Sequence, residues 1–201
     1  MALEYDGHRI GAMQYNGVTI GEAMIDGQIV YQSGLPVVQI ISTTLSGARD
    51  QLRAALVDYG TTYQTVQVLP FRLDTSQSTV LRYMFYGCGQ LVAVPPMDTS
   101  QVTSMEAMFY QCLSLVTVPP MDTSQVTSMR NMFRSCGSLT QVPDMHTSQV
   151  MDASFMFWEC SSLTDGNVRL IGRHPNVNTS RMIEGSGLTR EPFYDTNGNP
   201  I

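Results

Sequence analysis

Apolar positions in the middle of the chain recur on two nested periods. Within one stretch, Met105, Met108, Phe109 and Cys112 fall at i, i+3, i+4 and i+7, the spacing that puts side chains on one stripe of a helix. Between stretches the whole set returns every 24 residues, as Cys88, Cys112, Cys136 and Cys160 show. Phe85, Phe109, Phe133 and Phe157 keep the same interval, as do Met84, Met108, Met132 and Met156, and Leu91, Leu115, Leu139 and Leu163. Residues 98–121 match residues 122–145 at 16 of 24 positions. A constant period signifies an array of one structural unit. Each unit reads as a short strand such as 115–118 (LVTV), a proline corner, a polar turn and one or two helical turns ending near its cysteine. One coil cannot bury its own apolar stripe, so neighbours must stack, like on like, about 4.8 Å apart if their strands form a parallel ladder.

An array exposes its core at both ends unless capped. Residues 46–59 (SGARDQLRAALVDY) predict an amphipathic helix as the N-terminal cap, with Ser46 as N-cap, Gly60 as stop, and Leu52, Leu56 and Tyr59 on one side. Beyond Cys160 the spacing breaks. Asn178, Thr179 and Ser180 echo Asp-Thr-Ser, and Gly187, Leu188 and Thr189 echo Ser-Leu-Thr at a shortened interval, which predicts a degenerate last coil. The tail 194–201 (YDTNGNPI) is turn-rich and is expected to run along another surface or fray.

The front of the chain has a different period, of ten: Tyr5-Asp6-Gly7, Tyr15-Asn16-Gly17 and Ile25-Asp26-Gly27. Asp-Gly and Asn-Gly between apolar runs signal type I′ hairpins, because both central residues need positive φ. Three such turns predict a four-stranded meander over 1–33, with Gly34, Leu35 and Pro36 as the joint. So small a module has little core and is expected to dock on a partner or on copies of itself.

The pattern MFYQCLSLVTVPPMDTSQVTSM resembles the repeat of BspA-like leucine-rich-repeat surface proteins, over about residues 66–163. The Met-Phe-x-x-Cys-x-Ser-Leu and Asp-Thr-Ser-x-Val-Thr elements carry the likeness. It implies a binding or structural role, not catalysis, in the surface and adhesion proteins of bacteria and bacteriophages. The front repeats are similar to the Tyr-x-Gly hairpins of bacteriophage minor tail and other virion proteins. The expected fold class is therefore an α+β repeat, a leucine-rich-repeat solenoid with a short strand and a short helix per 24-residue coil, preceded by a small antiparallel β-meander. Its divisions are a docking module at 1–33, a linker and helical cap at 34–63, the solenoid at 64–165, and the last coil and tail at 166–201.

Charge and composition narrow the function further. There are 11 Lys+Arg against 17 Asp+Glu, a net charge of −6, which is not a nucleic-acid binder's balance. Charged residues are 14% and hydrophobic ones 43%, enough to bury a core under a mostly neutral polar surface. No run has the length of a membrane span, and residues 1–10 (MALEYDGHRI) do not read as a signal peptide. The expectation is a protein made in a host cytoplasm and carried in a virion, without membrane insertion.

The four cysteines read as buried reduced thiols, since stacked residues neither converge on zinc nor present disulfide geometry. Asp74, Asp98 and Asp122 stack likewise and need compensation. An Asx-turn inside Asp-Thr-Ser supplies it, whereas a bridging calcium would want six or more oxygens and meets His146 where the next Asp should be. No metal and no cofactor are expected. His8, His146 and His174 lie scattered, and neither a nucleophile motif nor a phosphate loop occurs. A glycan hydrolase would need two flanking carboxylates, and none is evident outside the Asp ladder; an enzyme is not expected.

The positions that vary inside the frame are the candidate site. Tyr86, Tyr110, Arg134 and Trp158 share one coil position, and Arg82, Glu106, Arg130 and Ser154 share another. Tyr86, Tyr110 and Trp158 are expected to form an exposed aromatic row that stacks on sugars or anchors a protein interface, with Arg82, Arg130 and Arg134 as hydrogen-bond donors. The alternative is that the rings cover the coils or pack against another subunit. The expected function is a virion protein, of minor-tail, tail-tip or surface-fibre type. It would hold other virion proteins through 1–33 and touch a host-surface glycan or protein through the solenoid, multivalently. Family likeness implies a homo-oligomer, with a trimer as the first guess. A purely structural capsid-decoration role and a bacterial adhesin are the alternatives.

Overall fold

A computed structural model describes residues 37–44 and 47–201, and the backbone of six short strands between residues 3 and 30. Those strands are β1 (Leu3–Tyr5), β2 (His8–Ile10), β3 (Met13–Tyr15), β4 (Val18–Ile20), β5 (Ala23–Ile25) and β6 (Gln28–Val30). They pair as three antiparallel hairpins, with Tyr5 opposite His8, Tyr15 opposite Val18 and Ile25 opposite Gln28. The pairs flank the Asp-Gly and Asn-Gly dipeptides as expected of such turns. The meander differs: the described strands form three separate two-stranded sheets. Each of the six described strands is three residues long. The joint at Gly34, Leu35 and Pro36 and the N-cap at Ser46 lie outside the described residues.

The stack begins earlier than the linker assignment supposed. Strand β7 (Val37–Gln39) pairs in parallel with β8 (Arg72–Asp74), and Ile40, fully buried, donates its amide to Asp74 O. Residues 37–40 are thus the first rung, because Ile40 carries enough apolar surface to join the core. Helix α1 (Gly47–Asp58) buries Ala48, Leu52, Ala55 and Leu56 against that end. The Ser42 hydroxyl accepts from Ala48 N at 3.0 Å, closing one of the open amides of the helix N-terminus. At the other end Gly60 has φ +70, Thr61 N donates to Leu56 O and Gly60 N to Val57 O, the paired closure that a left-handed C′ residue permits.

The 24-residue units stack in parallel register. Isolated bridges join Val80 to Ser104, Ser104 to Ser128, Ser128 to Asp152, and Asp152 to Asn178. Inside, like meets like. The rings of Phe85, Phe109, Phe133 and Phe157 stack at 5.3, 5.4 and 5.7 Å, within 3° of parallel. The Met, Cys and Leu rows beside them, four residues each, are fully buried. A row of buried threonines ties coil to coil, Thr75, Thr99 and Thr123 donating to Asp98 O, Asp122 O and His146 O.

Neither secondary-structure expectation within the coil holds. Residues 115–118 are not a strand; they contribute one rung, Val116 N to Val92 O, repeated by Thr140 N to Val116 O. The stretch expected to be helical is a chain of tight turns, and α1 is the only α-helix among the described residues. Alternate amides divide the work. Met84, Tyr86 and Cys88 donate to the carbonyl three residues back, while Tyr83, Phe85 and Gly87 donate to Glu106, Met108 and Tyr110 of the next coil. A helix would point every amide along its own axis and leave the coils unbonded. This alternation puts Tyr83, Ala107, Gln111, Asn131, Ser135, Phe155, Glu159 and Arg181 at positive φ, which costs a side-chain-bearing residue about 1–2 kcal/mol. Gly87 occupies the place of exposed Gln111 at φ +78. Gln111→Gly is therefore expected to raise stability by about 1 kcal/mol, read as a higher urea midpoint at unchanged slope; a lower midpoint would mean that the left-handed conformation is not what limits the position.

The last coil sits two residues out of period, Asn178 taking its place against Asp152. A small parallel sheet of β9 (Met145–His146), β10 (Leu170–Ile171) and β11 (Phe193–Tyr194) closes that side. The tail begins against the preceding coil, where Gly172 N donates to Tyr194 O and Arg169 lies over the Tyr194 ring at 5.4 Å. It turns back through Asp195 N to Asn199 O and Ile201 N to Phe193 O, and the Asp195 carboxylate accepts from the amides of Asn197 and Asn199.

Candidate functional site

The turn segments set which side chains face outward. With residues 84, 85 and 88 of a coil turned into the core, residues 82, 83 and 86 line its outer side. The coil step then brings equivalent side chains to stacking distance. Tyr86 lies 5.1 Å from Tyr110, and the Arg134 guanidinium is inserted between Tyr110, at 5.2 Å, and Trp158, at 4.3 Å. All four expected row residues are therefore assembled. They are half-buried rather than exposed, and their ring faces are covered by one another and by arginine. A step of about 5 Å leaves no room for a sugar between successive rings.

Arg82 and Arg130 lie on the neighbouring line. Arg82 is committed to Glu106 at 2.6 Å, and Arg130 stands 3.9 Å from Asp152 and 6.0 Å from the Phe155 ring. Sequence reasoning missed three members. Arg49 of α1 lies over Tyr86 at 4.7 Å and over Tyr63 at 5.7 Å, so that the row begins on the cap. Nothing local in the helix sequence signals that contact. Tyr83 and Phe155 flank the row, Tyr83 against Tyr86 at 6.0 Å and Phe155 under Arg134 at 5.4 Å. Tabulating that coil position would have shown both.

Alongside runs an open groove of about 450 Å³ lined by Gly87, Gly89, Gln111, Leu113, Ser135 and Glu159. Four of these, Gly87, Gln111, Ser135 and Glu159, directly follow row residues in sequence, so the groove runs beside the row without being lined by it. The lining combines apolar surface from Leu113 with the polar groups of Gln111, Ser135 and Glu159, and Ser135 Oγ donates to Glu159 at 3.1 Å.

The cysteines lie on the inner side. Cys112, Cys136 and Cys160 donate their thiols to Phe85, Phe109 and Phe133 carbonyls at 3.0–3.1 Å. Burial pushes all four thiols up, Cys160 to about 12. A thiol attacks only as the thiolate, so no cysteine should label with a thiol reagent at pH 8 in the native protein, and all four should label in denaturant. Labelling of the folded chain would show that the core opens.

The Asp ladder is closed by local bonds. Asp74, Asp98 and Asp122 each accept the amide of the serine two residues on, at 3.1, 3.0 and 2.9 Å, and Ser76 and Ser100 add their hydroxyls. At Asp74 the serine hydroxyl, and at Asp98 and Asp122 chiefly the serine amide, hold the carboxyl below its ordinary 3.8. A carboxyl lowered in the folded state contributes stability above its unfolded pKa and loses it as pH falls through the folded value. The acid limb below pH ~4 should therefore flatten in an Asp98→Asn, Asp122→Asn variant; an unchanged limb would place acid sensitivity elsewhere. Among the described residues no three His, Cys, Asp or Glu side chains are grouped to hold a metal ion.

A family model described as "Mycoplasma protein of unknown function, DUF285" matches residues 79–190, more than half the chain and nearly all the stacked coils. The match fits the BspA-like resemblance of the repeat. No curated protein and no solved structure matches the chain.

Proposed function

Since the chain belongs to the DUF285 family, we propose that it is a surface-binding protein whose coils form a leucine-rich-repeat-type solenoid and whose variable outer side makes the contact. One observation carries this reading. One coil position that departs from the repeat forms a line, Tyr86, Tyr110, Arg134 and Trp158, which Arg49 of α1 extends, while the repeated Met, Phe, Cys and Leu positions are spent on the core. Variation concentrated on one side of an otherwise uniform array marks where such folds bind. Non-catalytic binding agrees with a line that holds rings and guanidinium groups and brings no acid, base and nucleophile together.

The setting is a bacteriophage virion of minor-tail, tail-tip or fibre type, held through 1–33. The three hairpin dipeptides and their likeness to virion repeats support it. Oligomeric copies would multiply weak contacts into firm attachment. A bacterial surface adhesin is the second reading, favoured by the bacterial genus in the family's description. The test is binding of the full chain to intact cells and to isolated envelopes, wild type against Tyr110→Ala and Trp158→Ala, each checked for fold by circular dichroism. Binding lost in either folded variant supports the contact surface; no binding by the wild type across cell types would favour a structural role.

A further inference from the structure

We propose that the line of rings and arginines binds an anionic polysaccharide lying along the groove beside it, an inference that rests on the surface-binding reading above. The chain carries a net charge of −6, yet two arginines of this line, Arg49 and Arg134, have no carboxylate at ion-pair distance among the described residues. Each lies instead on aromatic faces, Arg49 over Tyr86 and Tyr63, Arg134 over Tyr110 and Trp158. The Nε atoms of both are buried and unbonded. Arg134 Nη1 makes one long bond, to Asn131 Oδ1 at 3.4 Å; the bonding capacity left is at the outer edge of each guanidinium, the fork that grips carboxylate or phosphate with two parallel bonds. Stacking on rings holds that fork in place before a ligand arrives, so little side-chain freedom is lost on binding.

Two tyrosines, and so three steps, separate the guanidiniums, an interval of about 15 Å at the spacing of stacked coils. A ligand bridging both must therefore be extended and carry repeated anions. The groove decides between polymer classes. Its lining offers a glutamine amide, a serine hydroxyl and two glycines, with Leu113 as the one large apolar side chain. Buried anchor pockets of the kind that hold peptide side chains are lacking in that lining, whereas amide and hydroxyl groups suit a chain of sugar hydroxyls. Glu159, bonded by Ser135 Oγ, closes the far end against further anions.

Trp158 is the chain's single tryptophan and stacks on Arg134, so its fluorescence reports on the line directly. The experiment titrates the full chain with polygalacturonate, with a glycerol-phosphate polymer, with neutral dextran and with poly-L-glutamate, following tryptophan emission and co-sedimentation. Either of the first two should bind, which one distinguishing carboxylate from phosphodiester as the anion, and binding should weaken with salt. Arg134→Gln and Arg49→Gln should each weaken it about tenfold or more, a loss of the size expected for one charge-assisted pair. Arg173→Gln, outside the line, should leave it unchanged. Arg134→Lys keeps the charge without the planar fork and should recover only part of the affinity. Equal binding of dextran, binding of polyglutamate alone, or no loss in folded arginine variants would overturn the proposal. Wild-type protein that binds cells but neither anionic polysaccharide would overturn it too while leaving the surface-binding reading intact.

Discussion

Replacing Phe133 by alanine is expected to destabilise the protein by about 4 kcal/mol, the largest effect of a single core truncation here. Its ring is fully buried and stacked on both sides, 5.4 Å from Phe109 and 5.7 Å from Phe157. Neither neighbour can close the gap, because each is held by a backbone bond to the coil that follows it, Phe109 N to Met132 O and Phe157 N to Met182 O. The cavity therefore persists, and the lost contacts are those of two interfaces. In a chain of this length each kcal/mol moves the midpoint about 2–4 °C, so Tm should fall by roughly 10 °C. A stacked array has only nearest-neighbour coupling, and the broken interface should also divide the melt into two transitions. Phe133→Leu, which keeps most of the volume, should cost less and melt as one. A Phe133→Ala loss below about 1 kcal/mol would mean that the coils relax together.

Gly187→Ala is expected to dislodge the last coil. A Cβ at this position would stand 2.1 Å from Leu163 O and 3.0 Å from Ser161 O, both backbone atoms of the preceding coil. Neither can rotate aside, so one coil must move off the other, at a cost of about 3 kcal/mol or more. Because contacts run only between neighbours, the damage should be local. Hydrogen exchange should speed up over residues 168–201, uncovering Met182, Leu188 and Phe193, which are nearly inaccessible in the intact coil, while Phe109 and Phe133 stay protected. Gly137→Ala is the control, since its new Cβ meets only Ser161 Oγ at 3.8 Å and should change stability by less than about 0.5 kcal/mol. Equal effects of the two substitutions would argue against the close approach.

The inner surface was readable from spacing alone. Every Met, Phe, Cys and Leu assigned to the stripe is fully buried, because a fixed period places identical side chains above one another whatever the local backbone does. The capping helix was legible to within two residues, from apolar spacing and Gly60. The Asx-turns were legible from Asp-Thr-Ser, as the acceptor and its donor lie two residues apart. The site was legible in part. Departures from the repeat picked out Tyr86, Tyr110, Arg134 and Trp158, but not that their faces would be covered, nor that Arg49 would join them from α1.

What misled was the helical reading of i, i+3, i+4 and i+7. A run of turns bonded three residues back turns the same positions inward, so apolar spacing cannot separate the two. The choice lies with the amides of Tyr83, Phe85 and Gly87, which bond across to the next coil. Identity along the chain thus specifies that coils stack and which residues meet, since both follow from period. Whether a given amide closes within its coil or across to the neighbour, and which cations reach the outer row, depend on groups distant in sequence and become defined only when the coils are in contact.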